Sequence, residues 1–259
     1  MNRIDRLFTE KKNNILSVYF TAGHPTLDST IEIIQALEKY GADMIEIGMP
    51  FSDPLADGPV IQHSGQVALK NGMSLKLLFD QLKDIRKNVN IPLLLMGYLN
   101  PVYQYGIENF IKKASEIGID GLILPDLPVY EYTEEYQVIF EKYNFYNIFL
   151  VTPETSNERL IKLDEYSKGF IYMVSSSSTT GAKSTILQSQ EEYFARVKSL
   201  NLKNPKVVGF GISNHETFTK VCNYANGAII GSAFVKMLDE NNRAIRDGIE
   251  EFINSVLKG

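Results

Sequence analysis

The segment of residues 44–59, MIEIGMPFSDPLADGP, places one carboxylate inside an apolar strand-like run and two more just after it. In an extended strand Met44 and Glu46 face one way, and Ile45 and Ile47 face the other. A carboxyl group buried among apolar side chains has a raised pKa, so it exchanges a proton near neutral pH, as a general acid or base must. Glu46 is therefore the first catalytic candidate. A structural ion pair with a buried arginine is the alternative.

The loop that follows carries Asp53 and Asp57 within the dipeptides Asp-Pro and Asp-Gly, which favour turns. Both side chains could simply cap turns or the next helix. Asp57 lies on the loop that leaves the strand bearing Glu46, so the two carboxylates can reach one ligand. Further along the chain, Asp126 in ILPDLP and Tyr172 in FIYMVS are read as either lining the site or belonging to the core.

Two late segments, VVGFGIS (207–213) and AIIGSAF (228–234), pass from glycine into a polar or helix-starting stretch. Glycine lets backbone N–H groups approach an anion, and a helix N-terminus favours negative charge. Gly211, Gly231 and Ser232 are therefore candidate phosphate ligands. Gly181, at the end of SSSSTTG, could add a donor from a third loop. Tight turns alone also explain these glycines. The Ser/Thr-rich stretch of residues 175–183 is predicted to be a lid, with an ordinary surface loop as the alternative.

These candidates follow short, nearly continuous apolar runs that alternate with helical patterns. Such a pattern indicates a parallel sheet covered by helices. Eight units in 259 residues predict an α/β fold, a single (β/α)8 TIM barrel with extra helices and loops that spans residues 1–259. An open doubly wound sheet is the alternative, but FTAGHPT after the first run lacks the G-x-G-x-x-G pattern. The predicted strands lie at residues 15–23, 42–50, 91–101, 121–128, 147–153, 169–175, 205–213 and 227–234.

Composition restricts the partners. The formal net charge is −5 without basic runs, which argues against a nucleic acid or anionic membrane surface. No apolar run approaches the roughly 20 residues of a membrane helix. Cys222 is the only cysteine and the three histidines have no metal-like spacing, so neither an intrachain disulfide nor a metal site is expected. These features predict a cytoplasmic protein that acts on small molecules or binds proteins.

The stretch EIGMPFSDPLADGPVIQ, together with FTAGHPT before it and LPDLP, GFGIS and GSAFVK after it, closely resembles the tryptophan synthase alpha chain family. The resemblance covers nearly the whole chain. It implies retro-aldol cleavage of indole-3-glycerol phosphate to indole and glyceraldehyde 3-phosphate by a carbon–carbon lyase. Glu46 falls on the family's acid/base glutamate and Asp57 on its second catalytic aspartate. The proposed strand ends also carry no lysine for a Schiff base, which leaves carboxylates as the acid/base groups.

The same resemblance implies the remaining site residues. Tyr172 would lie beside the substrate as the third member of the catalytic group, and Tyr19 and Phe210 would line an apolar pocket for the indole ring. The phosphate would bind at residues 181, 211, 231 and 232. Two departures stand out: SSSSTTG lacks an arginine and a second glycine common in this loop, and Tyr19 replaces a common phenylalanine.

The family's alpha chain works with a beta chain that holds pyridoxal phosphate, usually as an α2β2 heterotetramer with an internal passage for indole. The resemblance therefore implies no cofactor in this chain and a docking surface near residues 52–60, 97–109 and 126–132. Three alternatives remain at this point: a stand-alone lyase with the same residues, a non-catalytic barrel that binds a phosphorylated metabolite or activates a partner, and a neighbouring isomerase or synthase with other acid/base groups.

Overall fold

A computed structural model describes residues 1–174, 188–209, 211–240 and 243–259. Within these ranges, nine strands form one sheet in which every pair of neighbours is parallel. The order is β5-β4-β3-β2-β1-β9-β8-β7-β6. The strands are β1 (Ile15–Thr21), β2 (Met44–Gly48), β3 (Leu93–Met96), β4 (Gly121–Ile123), β5 (Tyr146–Asn147), β6 (Leu150–Val151), β7 (Ile171–Val174), β8 (Lys206–Gly209) and β9 (Gly227–Ile230).

The two shortest strands belong to one segment, which closes the barrel. β5 pairs with β4, whereas β6, two residues later, pairs with β7. Between them, the Ile148 N–H donates to the Leu122 carbonyl at 2.9 Å, and the Phe149 carbonyl accepts from the Tyr172 N–H at 3.0 Å. The predicted strand at 147–153 is thus one segment split into two ladders, because its halves pair with different neighbours. The barrel prediction is confirmed, while the extent of the domain over residues 1–259 stays a prediction.

Helices follow most strands along the chain. The helix after β1 covers Ser29–Tyr40 and is followed by Gly41 at its C-cap, where φ is +112°, a value that glycine adopts readily. A 3₁₀ turn covers Ile85–Lys87 and a π-helical turn covers Tyr132–Tyr136. The α-helices are α1 (Arg3–Glu10), α2 (Ser29–Tyr40), α3 (Pro59–Lys70), α4 (Leu75–Leu82), α5 (Leu99–Tyr105), α6 (Ile107–Ile117), α7 (Val129–Glu131), α8 (Gln137–Lys142), α9 (Asn157–Tyr166), α10 (Gln188–Ser199), α11 (His215–Cys222), α12 (Ser232–Leu238) and α13 (Ile245–Lys258).

Alternation along the strands creates two apolar layers. On β2, Ile45 and Ile47 belong to the layer between sheet and helices, whereas Met44 belongs to the barrel interior. Glu46 therefore faces inward, as the strand pattern requires. The buried hydrophobic side chains that the strands and their flanking residues contribute to the interior are Met44, Leu94, Ile123, Tyr146, Ile148, Phe170, Tyr172, Val174, Val207 and Ile229.

Helix α1 closes the amino-terminal end of the barrel. Ile4 is fully buried in the interior layer, and the Phe8 ring lies 6.0 Å from the Phe170 ring, centroid to centroid. The Tyr146 hydroxyl donates to the Asp5 carboxylate at 2.5 Å. These contacts cover the floor of the barrel and leave its carboxyl-terminal end for a site.

A buried carboxylate clamps this floor. Asp120 accepts from Arg3 Nη1 at 3.0 Å and from Arg86 Nη2 at 2.6 Å, and it also accepts from the Leu93 N–H at 2.9 Å. Its side chain is 3% exposed. Asn2 adds a hydrogen bond from its side-chain amide to the Asp120 carbonyl at 2.9 Å. The clamp joins α1, the 3₁₀ turn and the starts of β3 and β4.

Two further observations apply to the ranges that the structure describes. No helix there is both long and apolar enough to cross a membrane. No group of three or more His, Cys, Asp or Glu side chains there is arranged to hold a metal ion.

Candidate active site

Glu46 lies on β2 near the carboxyl end of the barrel, with Tyr19 of β1 and Leu94 of β3 as its register partners. Its side chain is fully buried. Ser17 Oγ donates to Glu46 Oε1 at 2.9 Å, whereas Oε2 has no hydrogen-bond partner among the described residues. The carboxyl group is thus tied at one oxygen and open at the other.

Burial controls the ionisation of Glu46. Loss of solvation raises its pKa to about 8, and the hydrogen bond from Ser17 opposes this rise because it favours the charged form. Within the described part of the chain no cation forms an ion pair with Glu46, so the alternative of a structural salt bridge finds no partner there. A carboxyl group in this state can give or take a proton near neutral pH.

Asp57 lies on the loop between β2 and α3 and is held by Tyr98. The Tyr98 hydroxyl donates to Asp57 Oδ2 at 3.0 Å and accepts from the Ala56 N–H at 3.0 Å. Burial raises the pKa of Asp57, and the Tyr98 hydrogen bond lowers it. The helix-capping alternative does not apply to Asp57, because α3 has Gly58 at its N-cap without a side-chain cap.

The other two aspartates considered from the sequence lie outside this arrangement. Asp53 is exposed and accepts a short hydrogen bond from the neighbouring Ser52 hydroxyl, as in the turn interpretation. Asp126 is also exposed, and its carboxylate accepts from the Leu99 N–H at the start of α5 at 3.0 Å. The predicted strand at 121–128, which contains Asp126, is too long: β4 ends at Ile123, so alternation does not set the direction of the Asp126 side chain.

Tyr172 and Tyr19 stand against the two carboxylates. Tyr172 is buried, and its pKa lies well above the ordinary value because of burial and then the charge of Glu46. Burial likewise raises the pKa of Tyr19, and the charges of Asp57 and Glu46 add to the rise. Both phenols respond to both carboxylates, so each tyrosine lies within electrostatic reach of Glu46 and of Asp57.

Two glycines make space for these rings. A Cβ at position 48 would lie 2.6 Å from the Tyr19 Cζ atom, and a Cβ at position 209 would lie 2.6 Å from the Tyr172 Cζ atom. Real side chains do not approach this closely, so Gly48 and Gly209 permit the inward aromatic positions.

Strand β1 supplies three inward hydroxyls, which the sequence interpretation did not connect with one another. Tyr19 Oη lies 3.4 Å from Thr21 Oγ1, which lies 2.6 Å from Ser64 Oγ. The Ser64 hydroxyl donates to the Ile61 carbonyl at 2.8 Å, so it accepts from Thr21. This chain ties β1 to α3. The alternation Ser17, Tyr19, Thr21 in an otherwise apolar strand is the signal that would have pointed to it, whereas nothing local signals the contact of Tyr98 with Asp57.

The phosphate candidates that the structure describes lie on neighbouring loops. Gly211 follows β8 with φ +78°, and Gly231 and Ser232 form the N-cap and first residue of α12 after β9. These strands pair with each other, so both loops leave the same end of the barrel. A Cβ at Gly231 would be 3.5 Å from the Tyr19 ring, so this loop also borders Tyr19. Gly181, Phe210 and the predicted lid at residues 175–183 lie outside the described residues.

The resemblance suggested three segments as the docking surface, and these segments are joined to one another by hydrogen bonds of Tyr98 and Asp126. Tyr98 on the second segment reaches the loop of Asp57, and Leu99 bonds to Asp126 on the third segment. Each segment also exposes a large side chain: Leu55, Tyr103 and Tyr130 are 86%, 62% and 73% exposed. We call residues 52–60, 97–109 and 126–132 the docking surface.

Comparisons with known proteins agree with this geometry. A family model described as "Tryptophan synthase alpha chain" matches residues 6–258. The chain is 59% identical over 256 residues to the tryptophan synthase alpha chain of Flavobacterium johnsoniae, covering 99% of this chain and 100% of that protein. The solved alpha subunit from Legionella pneumophila superposes with a TM-score of 0.90 at 34% identity, covering 100% of this chain and 98% of that one. A tryptophan synthase complex from Pyrococcus furiosus gives 0.86 at 36% identity, with coverage of 95% and 98%.

Proposed function

The chain belongs to the tryptophan synthase alpha chain family, and we propose that its catalytic groups are Glu46 and Asp57. The family reaction is the cleavage of indole-3-glycerol phosphate, a lyase step in tryptophan biosynthesis. The observation that carries the assignment is the state of Glu46: it is buried, has a pKa of about 8 and has an oxygen without a partner among the described residues. Asp57, on the loop that follows the same strand, accepts a hydrogen bond from the Tyr98 phenol.

In the proposed steps Glu46 gives one proton to the substrate and takes back a different one. The protonated Glu46 carboxyl gives its proton to C3 of the indole ring, which leaves positive charge on the ring nitrogen. Asp57 accepts the ring N–H as a hydrogen bond and stabilises that charge. The Glu46 carboxylate then takes the proton of the glycerol hydroxyl next to the breaking bond. The carbon–carbon bond breaks, its electron pair returns to the ring, and indole and an aldehyde result.

This scheme uses the different environments of the two acids. Glu46 has to be protonated at the start, and a pKa of about 8 keeps it so at neutral pH. Asp57 has to be charged: burial raises its pKa, and the hydrogen bond from Tyr98 opposes that rise because it favours the charged form. Two acids whose surroundings separate their pKa values suit the two roles.

We propose that the remaining candidates bind the rest of the substrate. Tyr172 lies beside the reacting carbon, and Tyr19 together with Phe210 holds the indole ring. The phosphate is bound by backbone N–H groups at Gly211, Gly231 and Ser232, with Gly181 on the sixth-strand loop as a further donor. The support for the described members is their position on adjacent loops at the same end of the barrel as Glu46.

We also propose that the docking surface binds a beta chain loaded with pyridoxal phosphate, in an α2β2 heterotetramer, and that the protein is cytoplasmic. The exposed side chains of Leu55, Tyr103 and Tyr130 support a protein interface at this end of the barrel. The similar Pyrococcus furiosus structure is of a tryptophan synthase complex, which supports an assembly for this chain as well.

Indole release from indole-3-glycerol phosphate tests the proposal, with the chain alone and with a beta chain added. Glu46→Gln and Asp57→Asn are each expected to lose about 10²-fold or more in kcat, the scale of a lost acid/base group. Asp80→Asn, at an exposed position on α4 outside the docking surface, is the matched control and keeps its rate. Near-normal turnover in either catalytic variant would sink the role assigned to that residue.

The beta chain separates the alternatives. Slow release that accelerates on addition indicates a coupled subunit, whereas fast release without the partner indicates a stand-alone lyase. No release under either condition would make the barrel non-catalytic or the substrate wrong.

A further inference from the structure

Ser17 is a polar side chain in the interior of the barrel. It is fully buried on the inward face of β1, where its register partner is Met44. A buried hydroxyl costs free energy unless it forms a hydrogen bond. The Ser17 hydroxyl meets this requirement by donating to Glu46 Oε1 at 2.9 Å.

The geometry of the two strands explains why Ser17 reaches Glu46. Tyr19 is directly opposite Glu46, and its ring occupies the space beside Gly48 and Gly231. Ser17 is one step further toward the amino end on the same face, on the diagonal from Glu46, where a short side chain can reach the carboxyl group. Oε1 is therefore held on the floor side of Glu46.

The consequence for the carboxyl group is an asymmetry between its oxygens. Oε1 accepts from Ser17, while Oε2 has no partner in the described ranges. A proton on Oε1 would compete with the donated hydrogen bond, whereas a proton on Oε2 leaves that bond intact. The mobile proton therefore belongs on Oε2.

We propose that Ser17 is a positioning residue for the reaction: it fixes Oε1 of Glu46 and directs the transferable proton to Oε2. The inference rests on the proposed role of Glu46. Ser17 itself does not contact the reacting atoms in this scheme. It acts through Glu46, so its loss affects proton transfer more than substrate binding.

Ser17 also affects the pH at which Glu46 titrates. A hydrogen bond donated to a carboxylate favours the charged form, so removing it raises the pKa of Glu46. Among the described residues, the titratable groups in electrostatic contact with Glu46 are Tyr19 on β1 and Tyr172 on β7, and burial raises the pKa of both. Neither phenol ionises in the range where Glu46 does, so the midpoint belongs to Glu46 alone.

The test combines activity with a direct readout of Glu46. Difference infrared spectroscopy follows the protonated carboxyl band of the purified full chain during a pH titration, and Glu46→Gln identifies the band by its loss. In Ser17→Ala the midpoint is expected to rise by about one pH unit, as for a lost hydrogen bond to a charged group. The kcat for indole release is expected to fall about tenfold at neutral pH while KM stays within about twofold. Ser17→Thr keeps the hydroxyl and is expected to restore the midpoint.

The controls separate positioning from packing. Ser167→Ala removes another buried serine hydroxyl, which bonds to the Leu163 carbonyl at 2.8 Å at the end of α9, and is expected to leave midpoint and kcat unchanged. In Ser17→Cys the thiol is close in size to the serine hydroxyl but is a weak hydrogen-bond donor. This variant tests the role of the hydrogen bond without the cavity that alanine would leave. An unchanged midpoint in folded Ser17→Ala or Ser17→Cys overturns the inference.

Failure of the proposed function gives a different pattern. If Glu46→Gln keeps its turnover, the catalytic role of Glu46 is wrong whatever the infrared midpoints show. If Glu46→Gln loses turnover and the Ser17 variants titrate like the wild type, only the positioning role of Ser17 is wrong.

Discussion

Replacing Glu46 by glutamine should change how the stability of the protein depends on pH. The folded state holds Glu46 with a pKa of about 8, against an ordinary value of 4.5. Between these values the folded chain keeps a proton that the unfolded chain has released, so the free energy of unfolding falls as pH rises. The penalty is absent below about pH 4.5 and complete above about pH 8. Glutamine does not titrate, so Glu46→Gln loses this dependence.

The size of the effect follows from the same two values. One pH unit corresponds to about 1.4 kcal/mol, so the interval from 4.5 to about 8 sets an upper limit of roughly 5 kcal/mol. Water entering from the carboxyl end of the barrel reduces the cost of the charge, and we expect about 2 to 5 kcal/mol. In Glu46→Gln the side-chain amide occupies the position of Oε2, which has no hydrogen-bond partner among the described residues. An unpaired buried amide lowers the unfolding free energy by about 1 to 3 kcal/mol, and this cost does not change with pH.

The measurement is urea denaturation of the wild type and Glu46→Gln at several pH values from 5 to 9. The informative quantity is the change with pH of the difference in unfolding free energy, since the constant cost of the amide cancels. From pH 5 to pH 9, the unfolding free energy of Glu46→Gln should rise relative to that of the wild type by about 2 kcal/mol or more. Asp53→Asn, at an exposed position on the same loop, should follow the wild type. Parallel curves for Glu46→Gln and the wild type would refute the argument that Glu46 is buried with a raised pKa.

Three further predictions concern the floor clamp, the space for Tyr19 and the docking surface. Arg86→Ala leaves the buried Asp120 charge poorly compensated and should lower the urea-derived unfolding free energy by about 3 kcal/mol. Gly48→Ala puts a methyl group where the Tyr19 ring lies, so both Tm and kcat/KM for indole release should fall, the latter at least about tenfold. Tyr103→Ala should weaken beta-chain binding at least about tenfold in calorimetry and leave the rate of the isolated chain unchanged.

Each of these changes has a matched control. Lys142→Ala breaks an exposed ion pair with Glu108 and should cost less than about 1 kcal/mol; an equal loss for Arg86→Ala and Lys142→Ala would contradict the clamp. Gly65→Ala, in α3, meets no atom within 4 Å and should keep stability and rate. Val138→Ala removes a side chain that is 76% exposed outside the docking surface; similar binding losses for Tyr103→Ala and Val138→Ala would argue against the surface.

The barrel was predictable because its signals are local. Apolar runs that end in turn residues indicated parallel strands, and the period of two on β2 directed Glu46 inward. The split between β5 and β6 was not predictable, since it depends on which neighbour each half pairs with. The length of β4 was not predictable from the apolar pattern either, so Asp126 lies outside the strand that was predicted to contain it.

For the candidate site, the sequence predicted which residues lie at the same end of the barrel, but not their contacts. Glu46 and Asp57 lie on one strand and its following loop, so placing both at the same end of the barrel needs no long-range information. The bond from Ser17 depends on the β1–β2 register, and the bond from Tyr98 joins residues 41 positions apart. Such contacts depend on the packing of the whole barrel. The strand pattern indicates them only through Ser17, a polar residue in an otherwise apolar strand.

The helix that seals the barrel floor sets a condition on synthesis of the chain. Helix α1 leaves the ribosome before the strands that it covers, and Phe170, against which Phe8 packs, follows about 160 residues later. At about 5 to 20 residues per second, the apolar side of this nascent helix waits roughly 10 to 30 seconds for its cover. Ribosome-bound chains that stop before Phe170 therefore expose the apolar side of α1. Chaperone binding to nascent chains should fall once β7 has emerged.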